Sequence, residues 1–147
     1  MTAEPEPLNL GLLLYIPYRA MEARVFAGLA EAGYSDFTPA QARVFQRIGP
    51  GGSRLTDLAE QAQITKQSAG FLVDQLERAG YVERGPDPTD ARARLVRIAP
   101  RGAAAVPVAA AIVADVEREW AAHLGGHRAA QLRQILTRLR EITDRYR

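Results

Sequence analysis

The sequence has no cysteine, two histidines and one tryptophan in 147 residues. Without cysteine there is no disulfide, no thiolate nucleophile and no thiol redox sensor. With His123 and His127 the sole histidines, no metal-ligand cluster at recognisable spacing can be drawn. No apolar run approaches the roughly 20 residues of a membrane span. Residues 1–7 are acidic and proline-rich, the wrong charge for a secretory leader, so a cytoplasmic location is expected. Residues 49–52 lack the Lys-Ser/Thr step and strand context of a phosphate loop and read as a linker. Glu117 and Glu119, beside Trp120, read as a solvated helix face. Catalysis has no foothold, and neither an enzyme nor a cofactor or metal is expected.

What is present is enough for one domain with a real core. Hydrophobic residues make up 47% of the chain, an ordinary value, and the net charge is +2. Charge is unevenly placed. Residues 1–37 carry two Arg against five acids, and residues 38–102 carry nine Arg and one Lys against seven. Residues 103–147 carry seven Arg against five acids. The middle is the most electropositive part, which favours a nucleic-acid partner only on a suitable scaffold.

The spacing predicts a helix over residues 8–32, with Asn9 a possible cap. Leu10, Leu13, Leu14, Tyr18, Met21, Val25 and Leu29 form its apolar stripe. Pro17 should kink it or mark its true start, and Gly33 should close it. Thr38-Pro39-Ala40-Gln41 is a capping box that opens a second helix, with Val44, Phe45 and Ile48 inward. A short third helix is expected from a Thr56 cap to about Gln63, with Leu55, Leu58, Ala59 and Ala62 inward. A fourth should run from a Thr65 cap to about Ala79, burying Ala69, Leu72, Val73 and Leu76. Two short helices joined by a tight turn are a helix-turn-helix. The period then becomes strand-like at residues 81–84 and 95–98, around ten residues rich in turn formers, which predicts a hairpin with a long tip: a wing. A fifth helix should start at Pro100 and run to about Leu124, with Pro107 inside it. After Gly125-Gly126, a sixth should run from His127 to about Tyr146.

The resulting fold class is mainly α with a small β-hairpin wing: a winged helix-turn-helix in residues 38–99, flanked by long helices in residues 8–37 and 100–147. The flanking helices carry more apolar surface than the winged helix covers. A second copy would bury it, which predicts dimerisation through the first, fifth and sixth helices. A monomeric helical cap is the other reading.

This order of elements resembles the MarR family of bacterial transcription regulators from Leu8 onward. The sharpest matches are Gly33-Tyr34-Ser35-Asp36-Phe37-Thr38, Thr65-Lys66-Gln67-Ser68, Leu72-Val73-Asp74-Gln75-Leu76-Glu77, and the wing Asp87-Pro88-Thr89-Asp90-Ala91-Arg92. Three positions depart: Ala99 stands where a capping Thr is frequent, Phe71 where many members carry a polar or basic residue, and Ala91 where Arg is common. The resemblance implies sequence-specific binding of double-stranded DNA by a homodimer on a pseudo-palindromic operator, as a ligand-responsive repressor. It also implies that Asp90 orients Arg92, and that a cleft between the dimerisation helices and the winged helix takes a small aromatic or anionic effector. Tyr15, Tyr18, Arg19, Phe45 and Trp120 are candidates to line it, with ordinary packing or ion pairing as the other reading of each.

The fourth helix should leave Thr65, Lys66, Gln67, Ser68, Gly70, Phe71, Asp74 and Gln75 on or near its open face. Gln can grip an adenine edge and Lys a guanine or phosphate. Thr65 and Ser68 can hold a phosphate at the helix N-terminus. Gly70 would let the helix approach the groove floor. Phe71, if exposed, can pack on a thymine methyl, or it belongs to the core of a helix rotated from this assignment. Gln67 is a base reader or simply solvated. In the wing, Arg92 is assigned to a narrow minor groove and Arg94 to a phosphate, with local surface ion pairing as the other reading. Two rival functions remain: a winged-helix protein–protein adaptor, and an enzyme with an unrecognised site.

Overall fold

The computed structural model describes residues 5–146. The chain runs α1 (Leu10–Glu31), α2 (Pro39–Phe45), α3 (Leu55–Ala62), α4 (Lys66–Arg78), β1 (Val82–Asp87), β2 (Asp90–Ile98), α5 (Pro100–Leu124) and α6 (Gly126–Thr143). Asn9 caps α1 by accepting from the Leu12 N–H. The helix continues through Pro17, so that proline neither starts nor ends it. At its end the Tyr34 N–H bonds the Leu29 carbonyl and the Gly33 N–H the Ala30 carbonyl. Gly33 has φ +99°, the left-handed closure that glycine adopts at low cost. Both halves of the capping box of α2 form: the Gln41 N–H donates to Thr38 Oγ1, and the Thr38 N–H donates to Gln41 Oε1.

Three sequence expectations are corrected. Thr56 does not cap α3; Arg54 occupies that position without a side-chain cap, and α3 starts two residues earlier than a Thr56 cap would allow. The hairpin has no long tip. Val82 to Pro86 pair with Ile98 to Arg94, an irregularity follows Pro86, and Asp87 pairs with Asp90, leaving a two-residue turn. Pro86 is tolerated because β1 pairs on one side only. Finally, α6 stops at Thr143, short of Tyr146.

The core lies where α1, α2, α4 and the start of α5 converge. Leu29, Val44, Leu58, Val73, Leu76, Tyr81, Val82 and Val96 are almost wholly buried. Gly102 lets α5 enter this core: a Cβ there would overlap the Tyr81 carbonyl oxygen and press on Phe45 and Ile98. Only the C-terminal half of the α1 stripe joins the packing, through Val25 and Leu29. Leu10, Leu13, Leu14 and Tyr18 stay exposed, as do Leu132, Ile135, Leu136 and Leu139 of α6. None of the described residues of α6 is buried.

Candidate nucleic-acid interface

Thr65 sets the start of α4, the second helix of the helix-turn-helix. Its hydroxyl accepts from the Ser68 N–H at 3.0 Å and donates to Ser68 Oγ at 2.9 Å. Both hydroxyls are therefore engaged in the cap, and the unbonded first-turn N–H groups belong to Lys66 and Gln67. Ala69, Val73 and Leu76 are completely buried, which fixes the rotation of the helix. Lys66, Gln67, Ser68 and Phe71 all face solvent. Phe71 is 60% exposed and is not a core residue.

Two residues expected on the open face lie elsewhere. Gln75 is half-buried, and its Oε1 accepts from Nε2 of the buried Gln41 at 3.2 Å. It ties α4 to α2. Gly70 faces α3, where a Cβ would lie 3.6 Å from Leu55 Cδ2, so it serves helix packing.

The wing stands beside this face and is clamped at its tip. Asp87 is buried and accepts the Thr89 N–H at 2.8 Å and the Thr89 hydroxyl at 2.7 Å. Its other oxygen accepts Nε and NH2 of Arg54 at 3.0 and 2.8 Å. These donors, the Thr89 N–H and hydroxyl first and Arg54 after them, hold the carboxyl well below the usual range, at about 2. At the base of the wing Ser53 adds a bridge to Val96, with 2.9 and 2.8 Å backbone bonds. Asp90 does not hold the Arg92 guanidinium. One of its oxygens accepts the Arg92 backbone N–H at 3.0 Å and the other lies 3.9 Å from Arg54. Arg92 and Arg94 are exposed, and neither they nor Lys66 has a carboxylate partner among the described residues. Arg84, by contrast, is neutralised by Asp74 at 2.9 Å and Glu77 at 3.0 Å.

A second hub joins this lobe to the flanking helices. Arg101, in the first turn of α5, donates to both oxygens of Asp36, to the Ala79 carbonyl at the end of α4, and to the Gly33 carbonyl at the end of α1. Its guanidinium lies 4.4 Å from the Tyr81 ring centroid, and the Tyr81 hydroxyl donates to Asp36. Arg101 foremost, then Tyr81, lowers the Asp36 carboxyl. Burial foremost, then Asp36, raises the Tyr81 phenol. Sequence reading missed both pairings, Arg54 with Asp87 and Arg101 with Asp36. Of these four residues, only Asp36 and Asp87 lay inside recognisable motifs.

Between the lobes lies a cavity of about 610 Å³, lined by α1, α2 and α5 with Tyr81 beneath. Of the five candidate effector residues, Tyr18 and Phe45 line it. Tyr15 and Arg19 do not: they stack on each other, 5.8 Å from guanidinium to ring centroid. Trp120 belongs to a separate groove between α5 and α6. Phe26, Phe37, Glu22 and Arg43 complete the chemically distinctive lining. The Tyr18 hydroxyl donates to Glu22 at 3.0 Å; burial, followed by this bond, raises the phenol above its usual value. Arg43 is exposed at the rim and has no carboxylate partner among the described residues.

A short helix, a well-anchored second helix with a polar open face, and a clamped hairpin beside it define a winged helix-turn-helix protein. Residues 35–93 match the family described as MarR family. The reduced form of MarR from E. coli is 25% identical, with 92% of this chain and 98% of that one covered and a TM-score of 0.75. The transcriptional regulator PA4135 is 26% identical over 92% and 98%, with a TM-score of 0.69. A point mutant of S. aureus MepR, solved bound to an oligodeoxyribonucleotide, shares the fold at 19% identity over 90% and 96%, with a TM-score of 0.61. No curated protein matches the sequence. The chain thus has the winged-helix fold of these transcription regulators, and its residues 35–93 resemble the MarR family. Among the described residues no helix is long and apolar enough to cross a membrane.

Proposed function

We propose that this chain binds double-stranded DNA as a homodimer on a pseudo-palindromic operator and represses transcription until a small aromatic anion enters the inter-lobe cavity. The observation that carries the reading is the pairing of two free surfaces. Lys66, Gln67, Ser68 and Phe71 face outward from α4, while Arg92 and Arg94 face outward from the wing. A recognition helix of this shape enters a major groove, and wing arginines reach the backbone or the flanking minor groove. The S. aureus MepR mutant, which shares the fold, is bound to an oligodeoxyribonucleotide. Dimerisation through α1, α5 and α6 is supported by the exposed leucines of α1 and α6 and by a helix α6 with no buried face. In the cavity Arg43, rather than Arg19, is placed to meet a carboxylate above an aromatic floor.

One observation favours the adaptor alternative: Phe71 is an exposed apolar anchor on the same face. It stands alone there, whereas protein hot spots cluster. The deciding experiment is binding to the DNA flanking the chain's own gene and to single-base variants of the best site. Gln67→Ala should lose about 1–3 kcal/mol on the best site and little elsewhere. Arg92→Ala should weaken most sites, and A·T-rich flanks the most. Equal losses on every duplex would overturn the assignment of Gln67.

A further inference from the structure

We infer that Phe71 reads the C5-methyl group of a pyrimidine in the major groove, so that each half-site carries a thymine, or a 5-methylcytosine in its place, under the middle of α4. This rests on the DNA-binding reading above.

Helix geometry puts the ring on the reading face. Residues two apart on a helix point about 200° from one another. Ala69 and Val73 are completely buried, so Phe71, midway between them, points directly away from the core. Between residues 38 and 97 it is the one exposed large apolar side chain among the described residues. Its surroundings are polar and sorted by charge. Gln67 lies one turn before it on the same stripe, with Ser68 beside that. On the other side Asp74 is held by Arg84 at 2.9 Å. The phenyl ring thus sits between hydrogen-bonding groups and a neutralised carboxylate, in the middle of the face and away from the phosphate-facing ends.

A phenyl ring offers no conventional hydrogen bond. The apolar feature on the major-groove edge of a base pair is the C5-methyl of thymine. A cytosine methylated at C5 presents the same group at the same place, so this contact makes binding respond to cytosine methylation at that step.

The test starts from a duplex selected by the full-length protein out of a randomised pool. Each thymine is then replaced by deoxyuridine, which removes only the methyl group. One position per half-site should lose roughly fourfold in affinity, the value of one buried methyl-sized group. Replacing both symmetric positions should lose about fifteenfold if the half-sites add. With cytosine at that position, C5 methylation should restore about fourfold. Phe71→Ser should bind the thymine and deoxyuridine duplexes alike, while the thymine–uracil comparison with the unaltered protein needs no variant to fold. Equal affinity for the two bases at every position overturns the role of Phe71 alone, as does a Phe71→Ser protein that still discriminates. Failure to select any duplex overturns the DNA-binding reading and this inference together.

Discussion

Arg54, the residue that precedes α3, grips Asp87 at the end of β1 through two hydrogen bonds to a single carboxylate oxygen, at 3.0 and 2.8 Å. This contact ties the end of β1 to the start of α3. Asp87 titrates near 2 in the folded chain, below the roughly 3.9 of an unfolded aspartate. Its contribution to stability is thus full above about pH 4 and is lost as the pH falls toward 2. Urea melts from pH 5 to 2 should show this loss. In Asp87→Asn the protein should be less stable at neutral pH and its stability should fall less steeply across the same interval. Parallel curves would remove Asp87 from the account.

Gly102 should tolerate no side chain. Gly102→Ala places a methyl against Ile98 and against the Tyr81 carbonyl and Phe45, the latter two fixed parts of the core. Overpacking of this kind costs about 1–3 kcal/mol, readable as a lower midpoint in denaturant at unchanged slope. A variant as stable as the parent would mean that α5 has room to shift.

The inter-lobe cavity should take an aromatic carboxylate, with 2-naphthoate a suitable probe for calorimetry. Losing a charged hydrogen bond, worth about 1.5–3 kcal/mol, should make Arg43→Ala bind naphthoate at least about tenfold more weakly. Arg19→Ala should leave binding unchanged, since Arg19 lies outside the lining. Equal binding of the uncharged 2-naphthamide would dismiss Arg43 as the anion contact.

Residues that act on near neighbours were the legible ones. The Thr38 box and the Thr65 cap each act within three residues, so their hydroxyl and amide patterns announce them. The inward face of α4 followed from 3.6-residue spacing, and Ala69, Val73 and Leu76 are its buried residues. The hairpin register was hidden because Gly85, Pro86 and Pro88 have loop chemistry, although a one-sided strand accommodates it. Gln75 was misplaced because the site of its partner Gln41 depends on how α2 crosses α4, which no local pattern encodes. Arg101 and Asp36 are 65 residues apart, and their pairing emerges only from the packing of α5 on the core. The cavity suffered likewise: Tyr18 and Phe45 were named, but so was Arg19, whereas Arg43 lines the cavity, because which face of α1 borders it depends on packing.

The free faces of α1 and α6 should be joined in a two-fold dimer. Sedimentation at micromolar concentration should give twice the 16.1 kDa chain mass. Ile135→Asp with Leu136→Asp should yield monomers and reduced helicity, because α6 alone buries no residue. A monomeric parent protein would contradict the two-fold arrangement.

The central claim is that Lys66, Arg92 and Arg94 of two protomers meet DNA phosphates and grooves. The salt dependence of binding to the selected duplex tests it most directly. Each neutralised phosphate releases counterions, so log affinity should fall linearly with log salt, with a slope of roughly −0.9 per phosphate contact. Several contacts per half-site predict a steep loss between 50 and 200 mM salt, on the order of a hundredfold or more, at a stoichiometry of two chains per duplex. Arg94→Ala should make the slope shallower by about one for each half-site. An affinity that stays flat across that range, or a slope that Arg94→Ala leaves unchanged, would contradict the account.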